Sequence, residues 1–148
     1  MTPEQILLQE LADTWHSTIP LSAFMQICPR RYDGIQFEVS APLEPNINLH
    51  HTMFAGSIYT LMTLTGWGML WLKQREAVVE GSIVLADANI RYHAPVTSAP
   101  LARVRWPGGD LSALAGGKRV KQSLTVELIC GETLCASFSG LYVSLPGH

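Results

Sequence analysis

The sequence predicts an α+β fold in which an antiparallel sheet wraps one long, buried helix. Three observations point there. From Thr52 to Leu72 no residue is charged, so a helix over this stretch has no polar face to offer water. Flanking segments alternate with a period of two, as in Ile35, Phe37 and Val39 against Gln36, Glu38 and Ser40, the pattern of a half-buried strand. The elements run in the order helix, two strands, long helix, four strands, and a sheet closing around the helix explains why that helix is apolar nearly all round.

Thr2-Pro3-Glu4-Gln5 is a helix start. Thr2 can cap, Pro3 suits the first helical position and Gln5 can close a capping box. Ile6, Leu7, Leu11 and Trp15 follow at helical spacing, and the helix should stop before Pro20. Leu21 to Arg31 and Gly34 to Ala41 are expected as two strands around the turn Tyr32-Asp33-Gly34, an Asp-Gly hairpin signal. A loop over residues 42–51 leads to the central helix, which begins near Met53 or Phe54 and ends near Gln74. Four strands follow, Ser82 to His93, Leu101 to Trp106, Val120 to Ile129 and Thr133 to Ser144, the last after a turn at Gly131-Glu132. Between them Gly108-Gly109-Asp110 and Gly116-Gly117-Lys118 mark a loop or short helix.

The 148 residues make one domain, 1–148, large enough to bury a core without a disulfide or a metal. Charged residues are 15% against about 25% in average usage, which suggests that part of the surface is buried in an oligomer. Ten basic and twelve acidic residues give a net charge of −2, which argues against a general nucleic-acid binder. Cys28, Cys130 and Cys135 form neither a disulfide framework nor a zinc motif, and read as reduced thiols. No histidine pair has metal-ligand spacing. The uncharged run is long enough to span a bilayer, yet the strands need that helix as their core, so no membrane span is expected. The acidic N-terminus lacks the basic region of a signal peptide, and the expected location is cytoplasmic.

The string Asn46-Ile47-Asn48-Leu49-His50-His51-Thr52-Met53-Phe54-Ala55-Gly56-Ser57, followed by an apolar helix with Gly66-Trp67-Gly68, resembles the active-site segment of hotdog-fold acyl-thioester enzymes. It is most similar to a bacterial thioesterase-domain group found alone or fused behind an acetyltransferase domain, which includes malonyl-acyl-carrier-protein decarboxylases. The resemblance implies a hotdog fold and a homodimer with active sites between subunits. It also implies a thioester substrate carried by coenzyme A or the phosphopantetheine of acyl carrier protein, with no separate cofactor.

On that footing the start of the central helix is the candidate site. Backbone N–H groups near Gly56 and Ser57 are unpaired at a helix N-terminus, where a thioester oxygen gaining charge would be stabilised. Asn48 carries a side-chain amide that can donate as well, and Asn46 is the alternative. His51 and Phe54 are candidate substrate contacts. Many hotdog thioesterases place an acid on the central helix, and that position here is Thr63. Pro45 to Leu72 contains no Asp, Glu, Lys or Arg, which disfavours ordinary hydrolysis, although Thr63, Ser57 or Thr60 could orient a water and His50 or His51 could act as base. Decarboxylation of a malonyl thioester asks for less, because the donors that stabilise an oxyanion also stabilise the enolate left by CO₂. Lys118, Arg119 and Lys121 form the densest basic cluster and could receive coenzyme A phosphates or an acidic carrier, with Arg103 and Arg105 nearby in sequence. Asp87, Asn89 and Arg91 share one strand and read as a polar or interface face. A hydrolase and a non-catalytic acyl-thioester binding module are the competing functions.

Overall fold

The structure is a computed structural model that describes residues 1–147. Helix α1 spans Pro3–Thr18 and opens with the expected capping box: Gln5 N–H donates to Thr2 Oγ1 at 3.1 Å and Thr2 N–H to Gln5 Oε1 at 2.9 Å. It buries Leu8, Leu11 and Trp15. Residues expected to start a strand at Leu21 are helical instead, as the short α2 over Pro20–Phe24. Pro20 supplies a helical φ at the first position, and Ser22 Oγ folds back onto Ile19 O at 2.7 Å. Gln26, at φ 59°, turns the chain into β1, Cys28–Tyr32. The Asp-Gly turn follows as expected: Asp33 Oδ1 accepts from Ile35 N and Gln36 N at 2.9 and 2.7 Å and Gly34 takes φ 94°, leading into β2, Gln36–Ser40.

The central helix α3 spans Ala55–Ala77, so it starts one residue later and ends three residues later than the uncharged pattern indicates. Its last turn is polar, with Lys73 bridged to Glu76 at 3.2 Å and Arg75 to Glu10 at 2.9 Å. Strands β3 (Gly81–Tyr92), β4 (Leu101–Arg105), β5 (Val120–Cys130) and β6 (Thr133–Pro146) complete the chain. A single 3-10 turn over Ser112–Gly116 fills the glycine-bounded connection before β5. All six strands form one antiparallel sheet in the order β1-β2-β4-β5-β6-β3.

The sheet curls around α3, and the core lies between them. Phe37, Val39, Ala102, Val104, Val126, Leu128, Phe138 and Tyr142 face inward and are almost fully buried, against Leu61, Met62, Met69, Leu70 and Leu72 of the helix. Helix α1 closes the far side: a Cβ on Gly68 would lie 2.8 Å from ring atoms of both Trp15 and Phe37. A Cβ on Gly66 would collide with the Tyr142 hydroxyl, which donates to Thr63 O at 2.7 Å. Each glycine costs helix α3 about 1 kcal/mol of propensity. Full burial of a leucine returns roughly 1.5–3 kcal/mol, so close approach of the aromatic rings outweighs that cost. No helix among the described residues is long and apolar enough to cross a membrane.

Two features stay uncovered. Strands β1 and β3 are the two edges of the sheet, each with a hydrogen-bonded neighbour on one side only; helix α1 packs against β1, and β3 has no such helix along its edge among the described residues. Along α3, the half-buried residues Gly56, Thr60, Thr63, Trp67 and Trp71 form an uncharged stripe on successive turns.

Substituting Gly66 by Ala should destabilise the fold by roughly 1–3 kcal/mol, the usual cost of overfilling a packed core, measured by urea denaturation. The same change at Gly116, which has open space around it, should shift stability by less than about 0.5 kcal/mol.

Candidate active site at the start of the central helix

The chain ahead of α3 is built on two asparagines with different tasks. Asn46 is 2% exposed. Its side-chain amide donates to Met25 O at 3.0 Å and to Pro42 O at 2.8 Å, and its own carbonyl accepts from Phe54 N at 2.7 Å. Both amide hydrogens are therefore occupied, and Asn46 ties α2, the preceding loop and the start of α3 together. Its Oδ1 is buried without a partner. Asn48 instead shapes the loop. Its Oδ1 accepts from His50 N at 2.8 Å and Thr52 N at 3.2 Å, its Nδ2 donates to Thr52 Oγ1 at 2.9 Å, and its backbone N–H donates to Thr52 O at 2.8 Å. One amide hydrogen of Asn48 is left over. The loop is closed below by a bridge between Ile47 and Met53 and held to the sheet side by Met53 N to Val96 O at 2.9 Å. Leu49, His50 and His51 form its exposed tip, with His51 at φ 61°.

Helix α3 then begins without a side-chain cap on Phe54. Its first internal bond is Ile58 N to Phe54 O at 3.0 Å, so the N–H groups of Ala55, Gly56 and Ser57 find no partner among the described residues. Three aligned donors and the positive end of a roughly 34 Å helix thus meet in one place. Caps usually satisfy such donors, and Ser57 and Thr60 do not: Thr60 Oγ1 folds back onto Gly56 O at 2.9 Å.

Gly56 and Ser57 line a groove of about 370 Å³. One wall is Leu21, Phe24 and Met25 from α2 and the turn after it; the other is Phe54, Gly56, Ser57 and Thr60, with Pro45 and Asn46 between them. Phe24 and Phe54 are 71% and 55% exposed, which is unusual for side chains of that size. The Phe54 ring lies across the Cα of Gly56, where a Cβ would collide with it. No carboxylate, imidazole or amine lines the groove. A larger depression at the other end of α3, lined by Trp71, Arg75 and Glu80 among others, faces the helix carbonyl end, and its cation is already paired with Glu10.

The structure brings Asn46, Phe54, Gly56 and Ser57 together at the groove, with Asn48 and His51 in the adjoining loop. Thr63 lies two turns along the uncharged stripe, and its Oγ1 is buried without a hydrogen bond, unlike Thr60 and Thr65, which both fold back onto carbonyls. Lys118 and Arg119 lie elsewhere. Val120 pairs with Ser144, whose hydroxyl accepts from Gln74 near the end of α3, about 25 Å from Ser57 along the helix. Tyr92 was not evident from sequence. From the end of β3 its hydroxyl donates to Ala55 O at 3.0 Å, fastening the edge strand to the first turn of α3. Burial, with a contribution from Tyr59, raises the Tyr92 phenol above its ordinary value, so it is protonated and donating at neutral pH.

Residues 8–146 match the protein family described as "Putative thioesterase (yiiD_Cterm)". The chain belongs to this family. A Shewanella oneidensis family relative, itself described as a putative thioesterase, is 63% identical, with a TM-score of 0.95 over 96% of this chain and 99% of that one. A Chlorobaculum tepidum protein of unknown function is 30% identical, with a TM-score of 0.84 over 99% and 98%. The Pseudomonas aeruginosa thioesterase PA1618 shares the fold at 13% identity, with a TM-score of 0.79 over 99% and 97%. The sheet wrapped on one helix is thus the hotdog fold of thioesterase-like proteins, and the family is one of acyl-thioester processing.

Asn46→Ala should cost roughly 2–4 kcal/mol in urea denaturation, since it strips two buried carbonyls of their donor. Asn46→Asp should cost more, because a carboxylate would face the same two carbonyl oxygens. Equal stability of Asn46→Ala and the parent would contradict the role assigned to this residue.

Proposed function

We propose that the protein decarboxylates a malonyl thioester to the acetyl thioester, the substrate being carried on coenzyme A or on the phosphopantetheine of acyl carrier protein. One observation supports this: of the three residues at the start of α3 with uncapped N–H groups, Gly56 and Ser57 line a groove whose lining has no ionisable side chain. In this reading the thioester oxygen sits against Gly56 and Ser57 N–H. When CO₂ leaves, the electron pair moves into the carbonyl, and the enolate oxygen is held by donors that need no reorganisation. The spare amide hydrogen of Asn48 adds a donor at the loop. No base removes a proton in this step, and one proton is returned to carbon afterwards.

Hydrolysis is the second reading. The family description and the thioesterases that share the fold favour it, and so does the unpartnered hydroxyl of Thr63, which could hold a water. It lacks a base in the groove, which is why we rank it second.

The reading includes a homodimer. The free edge of β3 and the uncharged stripe on α3 both call for cover. Two β3 edges paired antiparallel would set the Gly81 end of one chain against the Tyr92 end of the other. That would bring Lys118 and Arg119 of a second copy toward the α3 start, where they could meet carrier phosphates.

Incubation with malonyl-coenzyme A and malonyl-acyl carrier protein, followed by mass spectrometry of the carrier, should give the acetyl thioester. Free carrier thiol with malonate would instead establish hydrolysis. Asn48→Ala should lower turnover by about 100-fold or more if it contributes a transition-state donor; full activity would remove it from the site. Light scattering should give a particle of about twice 16.2 kDa, and a monomer at that step would overturn the dimer.

A further inference from the structure

At the turn joining β5 to β6, two of the three cysteines come together. Cys130 closes the hairpin opposite Thr133, and Cys135 follows at a bulge where the register of the pair shifts. Both thiols reach the same short loop. Cys130 Sγ lies 3.0 Å from Ser98 Oγ and 3.7 Å from Ser98 O, while Cys135 Sγ lies 3.7 Å from Pro95 O. The register also sets them side by side: Cys130 follows Ile129, which pairs with Leu134, so Cys135 at the bulge lies on the adjacent strand next to the Cys130 end of β5. Their environments differ. Cys130 is partly exposed, Cys135 is buried, and Cys28 stands apart on β1. The Ser98 hydroxyl, helped by further bonds from Thr97 and Ser98, holds the Cys130 thiol below its ordinary value, whereas burial and the neighbouring Cys130 push Cys135 up. Such a pairing of an accessible, acidified thiol with a shielded one is the arrangement in which the first reacts and the second resolves.

We infer that Cys130 and Cys135 form an oxidisable dithiol site that a hydroperoxide converts to an intramolecular disulfide. The Cys130 thiolate attacks one peroxide oxygen. The O–O bond breaks, giving a sulfenic acid at Cys130 and water once the leaving oxygen is protonated. The Cys135 sulfur then attacks the Cys130 sulfur, its proton is lost, the S–O bond breaks and a second water leaves. Two thiols are oxidised by two electrons and one peroxide is reduced to two waters. The site adjoins the loop before α3. Cys135 O accepts from His93 N at 2.7 Å and Ala94 N at 3.2 Å, and two residues on Val96 O carries Met53 N–H. The inference is independent of which thioester reaction the protein performs.

The test is one equivalent of hydrogen peroxide added to the reduced full-length protein, with peptide mapping of the product under non-reducing conditions. The parent and Cys28→Ser should both yield a peptide pair linked between positions 130 and 135, with the loss of two hydrogens. Cys135→Ser should stop at a sulfenic acid on Cys130, captured by dimedone. Cys130→Ser should leave Cys135 unreacted. Ser98→Ala should slow the parent reaction, because the thiolate at Cys130 loses the hydroxyl that stabilises it. Reaction confined to Cys28, or separate over-oxidation of Cys130 and Cys135 without a link between them, would overturn the assignment.

Discussion

A helix without a charge over its first five turns or so cannot be left in water, and everything else in this molecule answers that constraint. Six strands curl round α3, and α1 packs on the side the sheet leaves open, where Trp15 and Leu11 press against Gly68. The cover stops short in two places: the stripe from Gly56 to Trp71, and the free edge of β3. Both are too apolar or too open to be ordinary solvent surface, and they adjoin one another through Trp67, whose indole donates to Ile83 O at 3.1 Å. The proposed homodimer would cover this second surface.

The chemistry follows from how that helix begins. A side-chain cap at Phe54 would have satisfied the first donors and ended the matter. Instead the entering chain is held by bonds that leave those donors alone: Asn46 ties Met25 and Pro42, Asn48 closes the loop on Thr52, and Tyr92 fastens Ala55 O from the strand side. Rigid support on three sides with an open centre is what preorganised stabilisation of a charge requires. The groove beside it adds low polarity, in which such donors act more strongly than in water.

Much of the fold was legible in the residues. The capping box at Thr2, the Asp33-Gly34 turn, the buried helix and the last five strands stand close to where local pattern put them, because each is dictated within a few positions of sequence; β1 begins at Cys28 and not at Leu21. Helix α2 was not legible. Five residues are too few to show a period, and Leu21 and Phe24 look equally suited to a strand. The start of α3 was expected near Met53 or Phe54 and stands at Ala55, one residue on. The division of labour between Asn46 and Asn48 could not be read, since it depends on Met25 and Pro42 reaching one side chain and Thr52 reaching the other. Tyr92 lay out of reach for the same reason: it meets Ala55 across 37 positions of chain. Lys118 and Arg119 were legible as a basic cluster, but only the register of β5 against β6 shows how far they lie from the groove.

The central claim is that, of the free backbone donors at Ala55, Gly56 and Ser57, the last two hold the substrate oxygen. It is tested most directly by the ¹⁵N–¹H resonances of those three amides in the presence of a stable malonyl analogue of the substrate, with an amide in place of the thioester. The Gly56 and Ser57 resonances should move downfield and become protected from exchange as the analogue binds, more than those of any other residue on α3. Saturable binding that leaves both resonances unmoved would contradict it.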